Sequence, residues 1–221
     1  MKKRSQTYYL VLYAIYAALI FVARILDQLI TSSALPINFA VITLSVAFAV
    51  AFIEPSLKNG FIAGVIFGMS SFITSFIFGK PLIFGMANPL ISIFPRIIVG
   101  IVLFLVFRGL FKLFMLWFKK PKLAMGLAIP FACAVAAFTN TVTVLSMIWV
   151  FKVLDGMDVL YVIFVTNAIP ELIIPALIVP GIVFGVRNGL KIKDEYTEVL
   201  PRPEKIEVAD KEINEETEED I

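Results

Sequence analysis

From Pro89 to Phe107 the chain runs nineteen residues with a single charge, Arg96. Most of the run is Ile, Val, Leu and Phe, and it is long enough to cross a bilayer as a helix of about 20 residues. A guanidinium placed inside such a run costs roughly 2.5–3.5 kcal/mol on insertion scales. It therefore needs a partner, supplied by the protein or by a ligand. Fold and function are constrained by what surrounds Arg96.

Several further runs reach spanning length. The 221 residues are 60% hydrophobic, above the ~45–50% of soluble domains. The runs do not alternate apolar and polar, which sets aside a membrane β-barrel. The expectation is an all-α integral membrane protein with six transmembrane helices. They are placed at about Tyr8–Leu29, Asn38–Ile53, Gly60–Phe78, Pro89–Phe107, Leu123–Phe151 and Val159–Val186. An amphipathic basic stretch, Arg108 to Lys122, is expected after the fourth helix, and Pro170, Pro175 and Pro180 are expected to interrupt the sixth. The Lys2-Lys3-Arg4 start before an apolar run resembles a signal peptide. The run is too long for that and no cleavage site follows, so it reads as a retained helix.

The net charge of +2 conceals two opposite parts. Residues 1–193 carry 16 basic and 5 acidic side chains, and residues 194–221 carry 3 and 12. This divides the chain into a membrane domain, 1–190, and an acidic tail, 191–221, expected to lack fixed structure. Alternate loops divide the basic residues unevenly. Lys2, Lys3, Arg4, Lys58, Arg108, Lys112, Lys119, Lys120, Lys122, Arg187, Lys191 and Lys193 fall on one side, and only Lys80 and Lys152 on the other. By the positive-inside rule both termini are cytoplasmic, in a multi-pass protein of the cell membrane.

Depth then sorts the polar residues. At ~1.5 Å per residue, Arg96 lies about 10 Å below the outer end of its helix, Thr139–Thr141 about 15–18 Å, Asn167 about 12 Å and Glu171 about 18 Å. Ser70, Ser71, Thr74 and Ser75 fall in the outer half of the third helix. Polar groups thus gather in the outer half, where they could line a cavity open to the outside. Each has a plainer alternative. Arg96 and Glu171 could pair with each other, Asn140 and Asn167 could bond helix to helix, and the serines and threonines could simply pack. Arg24 and Asp27, one turn apart, read as a pair snorkelling from the end of the first helix.

Small residues recur at four-residue spacing. Gly60, Gly64 and Gly68, and Ala124, Ala128, Ala132 and Ala136, read as internal packing ridges. Ala14 and Ala18 suit internal packing or a partner subunit equally well. The chain has no histidine and one cysteine, Cys133, expected to be a small core residue. It has no phosphate-binding loop, no metal-ligand spacing and no nucleophile elbow. Catalysis and cofactors are therefore not expected.

Three stretches carry a resemblance. They are Gly68-Met69-Ser70-Ser71, the segment Asn88 to Gly100 with its Asn-Pro and Pro-Arg steps, and Phe138-Thr139-Asn140-Thr141-Val142-Thr143-Val144-Leu145. Together with the Ala14-x-x-x-Ala18 step, they resemble the substrate-binding S components of energy-coupling factor (ECF) vitamin transporters, in particular the pantothenate-type subgroup. The resemblance covers residues 8–186. It implies six helices that capture a vitamin or its precursor from outside, next to a transmembrane coupling subunit and two cytoplasmic ATPases. It implies partner contact at Ala14 and Ala18, and a ligand site near the outer face, among the outer loops and helices four to six. The candidate substrate contacts are Arg96, Asn88, Asn140, Thr139, Asn167, Glu171, Ser71 and Thr74. Pantothenate would offer its carboxylate to Arg96. Glu171 would then have to orient Arg96 or bond ligand hydroxyls, which leaves a cationic or neutral ligand open. The acidic tail departs from the compact family pattern. The alternative function is a stand-alone proton-coupled carrier of a small polar solute, with Glu171 as the proton site.

Overall fold

A computed structural model describes residues 6–34, 40–78, 88–153 and 157–189. Among them every regular element is helical: α1 Gln6–Ala34, α2 Val41–Ile53, α3 Leu57–Ile77, α4 Pro89–Ser92, α5 Phe94–Phe118, α6 Pro121–Val150 and α7 Met157–Gly189. The acidic tail, the basic start and Lys80 lie outside the described residues.

Among the described residues, five helical segments are long and apolar enough to cross a membrane: α1, α3, α4 with α5, α6 and α7. The helix expected at Asn38–Ile53 is different. α2 has 13 residues and extends about 20 Å, short of the ~30 Å hydrocarbon layer. Eleven of its residues are buried. It is enclosed by protein, wedged against α1, α3, α5 and α7.

α3 and α5 run antiparallel, with Gly68 against Ile93, Gly64 against Arg96 and Gly60 against Gly100. A Cβ on Gly64 would lie 2.5 Å from the Arg96 carbonyl oxygen, and one on Gly60 2.5 Å from the Gly100 carbonyl oxygen. The glycine ridge is therefore the internal packing surface expected, and it sets how close Arg96 comes to α3. The alanine ridge of α6 is also internal, with Ala124, Ala128, Ala132 and Ala136 fully buried. Cys133 is buried beside them.

α2 runs parallel to α7 and antiparallel to α1. Its first turn meets Asp27 and Glu171, and its last carbonyl, Ile53 O, accepts from Arg187 Nη1 at 2.8 Å. At that same end Tyr8 bonds Glu54, and Tyr13 bonds Asn59 at 2.8 Å. Phe184 of α7 lies against Gly126 near the start of α6. The first residues of α1, the last of α7, Lys58 and the α5–α6 corner thus share one end of the bundle.

Three expectations about the elements are corrected. α5 continues as one helix through Arg108 to Phe118, so there is no separate extension. It stops at Lys119, whose left-handed φ of 51° turns the chain into Pro121. α7 runs unbroken through Pro170, Pro175 and Pro180. Each proline removes one backbone bond, and neighbouring helices make that tolerable in a membrane. α1 extends to Ala34, past the Leu29 expected to end it.

Candidate functional site

The site begins at a proline. In a regular helix the Pro95 nitrogen would donate to the Ile91 carbonyl, but proline has no N–H to give. α4 ends at Ser92, and α5 begins at Phe94. The released Ile91 oxygen accepts from Arg96 Nη1 at 2.7 Å. The Arg96 guanidinium also lies over the Phe67 ring, 5.6 Å from its centre, within the reach of a cation–π contact. Arg96 is thus held by the defect that its neighbour Pro95 creates. The freed carbonyl is thus used by a side chain of the next helix.

The second half of the site is the start of α2. The first N–H groups of any helix lack intrahelical partners and carry partial positive charge. Ala40, at the cap position, has no side chain that could help. Two carboxylates from other helices do so instead. Asp27 of α1 accepts from Ile42 N at 3.1 Å, from Thr43 N at 2.7 Å and from the Thr43 hydroxyl. Glu171 of α7 accepts from Ala40 N at 3.4 Å with Oε1, and from the Thr141 hydroxyl at 2.9 Å with Oε2. The Asn140 side chain bonds the Glu171 carboxylate as well.

Arg24 completes the group. It lies in the attractive fields of Asp27 and Glu171 and in the repulsive field of Arg96, itself attracted by Glu171. Arg24 is 2% exposed, and Asp27, Arg96 and Glu171 are 3% exposed. Two guanidinium groups and two carboxylates thus share one buried region contributed by α1, α5 and α7. This corrects the snorkelling reading of Arg24 and Asp27. They face the interior and support α2.

Neutral polar side chains are also buried on α1, α3, α4, α6 and α7. Asn140, Asn167, Thr141, Ser71, Thr74, Ser92 and Gln28 are buried. The Thr74 hydroxyl bonds back to Ser70 O at 2.7 Å. Among the described residues, Arg24 Nε, Gln28 Oε1, Ser71 Oγ and Asn140 Oδ1 are buried without a hydrogen-bond partner. Buried polar atoms are nearly always satisfied, so a concentration of exceptions marks a place where chemistry is unfinished.

The expected residues separate clearly. Arg96, Asn140 and Glu171 are brought together, with Asn167 one turn before Glu171 on α7. Ser71 and Thr74 lie on the buried face of α3, beyond the Phe67 ring that faces Arg96. Asn88 and Thr139 are not drawn in by their bonds. Asn88 Oδ1 caps α4 through Leu90 N at 3.0 Å, and the half-buried Thr139 donates to Val135 O at 2.8 Å within its own helix. Sequence reasoning missed Thr43 and Gln28. Arg24, Asp27 and Gln28 follow an i, i+3, i+4 spacing, so they occupy one face of α1. That shared polar face in an apolar helix was the available signal.

No protein-family model matches the chain, and no curated protein matches its sequence. Function must therefore be argued from the site itself. Chemically, the cluster offers two buried cations and two buried carboxylates whose formal charges balance, and amide and hydroxyl groups with bonding capacity left over. Such a set is suited to holding a small polar molecule.

Proposed function

We propose that the chain is the substrate-binding membrane subunit of an ECF-type vitamin importer, with pantothenate as the leading ligand. One observation carries the reading: a buried cluster of Arg24, Asp27, Arg96 and Glu171 beside unsatisfied polar atoms, within a bundle of apolar helices. Charges at membrane depth are costly and mark solute sites by default. The motif resemblance in the Asn88–Gly100 and Phe138–Leu145 stretches supports the vitamin class. In this reading α2 is the sixth membrane element, both termini are cytoplasmic, and the cluster faces the outer half.

The partner surface in this reading is on α1. Ala14 and Ala18 are exposed, on a face shared with Val11, Ile15, Leu19 and Val22. That face would meet the transmembrane coupling subunit, while two cytoplasmic ATPases supply energy. The chain itself binds and does not catalyse.

Uptake into proteoliposomes tests the assignment. With the coupling subunit and ATPases present, labelled vitamin should enter only when ATP is supplied. Uptake by the chain alone, driven by a proton gradient and abolished by Glu171→Gln, would establish the stand-alone carrier instead.

A further inference from the structure

Bonds already made fix the character of the atoms left over. Asp27 is engaged by Ile42 N and by Thr43 through both its backbone and its hydroxyl. Glu171 is engaged by Thr141, Ala40 N and Asn140. Arg96 donates to Ile91 O and covers Phe67. Formal charges in the cluster sum to zero, two guanidinium groups against two carboxylates. A ligand carboxylate entering here would leave the cluster with one uncompensated negative charge.

The unsatisfied atoms have a different chemistry. Carboxylates only accept, so Asn140 must turn its NH2 toward Glu171, and its Oδ1 is left pointing elsewhere. That Oδ1 has no partner, nor does Gln28 Oε1. Asn140 and Gln28 are each 4% exposed. Both leftover amide atoms are therefore neutral acceptors. Ser71 Oγ can accept or donate, and Arg24 Nε adds one donor. Acceptors call for a ligand rich in O–H and N–H groups.

Building on the vitamin-binding reading, we infer that this site selects its ligand by hydroxyl and amide donors directed at Asn140 Oδ1 and Gln28 Oε1, and not by the ligand's charge. The ligand class is a small polyhydroxyl or amide-bearing solute, for which a carboxylate is dispensable.

The test uses pairs of probes that differ only at the carboxylate: pantothenate with panthenol, nicotinate with nicotinamide, and biotin with biotinamide. Uncharged riboflavin and cationic thiamine are included. Binding to the purified full chain in nanodiscs is measured by titration calorimetry. In whichever pair binds, the uncharged member should bind within about tenfold of the acid. Riboflavin as the tightest ligand would support the inference equally. An uncharged member weaker by about a hundredfold or more, or thiamine as the tightest ligand, overturns it while leaving the vitamin-binding reading intact. If none of these probes binds, both fall together. Gln28→Met, checked for folding by its thermal midpoint, should weaken both members of the binding pair alike by about tenfold. Unchanged affinity in a folded Gln28→Met protein removes Gln28 from the site and overturns its assigned role.

Discussion

The Asp27 carboxylate accepts from both the backbone N–H and the hydroxyl of Thr43, across two helices. A third bond, from Ile42 N, makes Asp27 the cap of a helix to which it does not belong. α2 has no cap of its own, so its position in the bundle depends on α1. Asp27→Ala strands two backbone donors, each worth about 1–3 kcal/mol when buried and unsatisfied. The thermal midpoint, followed by far-ultraviolet circular dichroism, should fall clearly. Thr43→Val loses only the hydroxyl bond and should fall less. Equal midpoints for Asp27→Ala and the parent protein would contradict the capping role.

Arg187 secures the other end of α2 through Ile53 O. A bond from a charged donor is worth about 1.5–3 kcal/mol. Arg187→Met keeps much of the packing and loses that bond, and Arg187→Lys should retain part of the stability. The expected order of thermal midpoints is parent, Arg187→Lys, Arg187→Met. A midpoint for Arg187→Met equal to the parent would show that the bond contributes nothing.

Close approach at Gly64 makes a sharper prediction. A methyl group there meets the Arg96 backbone, which cannot yield as a flexible side chain would. Overpacking of this kind costs about 1–3 kcal/mol. Gly64→Ala should therefore lower both stability and ligand affinity, because separating α3 from α5 moves Arg96. The control is Gly126→Ala, whose methyl group would lie 3.7 Å from the Phe184 ring, an ordinary contact. It should match the parent in both measurements.

How much of this could be read from the sequence follows from the cost of burying polarity. Arg96, Asn140 and Glu171 were legible because each interrupts an apolar run, and depth counting from helix ends brought them to one level. The glycine and alanine ridges were legible because four-residue spacing fixes a helix face. Arg24 and Asp27 were misread because the end of α1 was placed at Leu29. The helix runs five residues further, which puts the pair too deep to reach water. Hydropathy could not reveal that α2 is short and enclosed, since a buried core helix and a membrane span share that signal. Nor could it show that a carboxylate would cap a helix from outside, because that bond joins residues sixteen positions apart through the fold.

Ala18→Phe separates binding from transport. Ala18 is exposed. In the proposed function, bulk at this position blocks the coupling subunit. Titration should return the parent affinity for vitamin, while ATP-dependent uptake falls at least tenfold, about 1.4 kcal/mol in coupling. Unimpaired uptake would move the partner surface away from Ala14 and Ala18.

Vitamin binding by the buried cluster can be measured by titrating the purified full chain in nanodiscs with a panel of vitamins, pantothenate first. Saturable binding of one vitamin at a single site is expected, with Kd of about 1 μM or tighter. Arg96→Ala and Asn140→Leu, each confirmed as folded, should weaken that binding at least tenfold, or about 1.4 kcal/mol. No vitamin binding below about 1 mM, or full affinity in both variants, would contradict vitamin binding by this cluster.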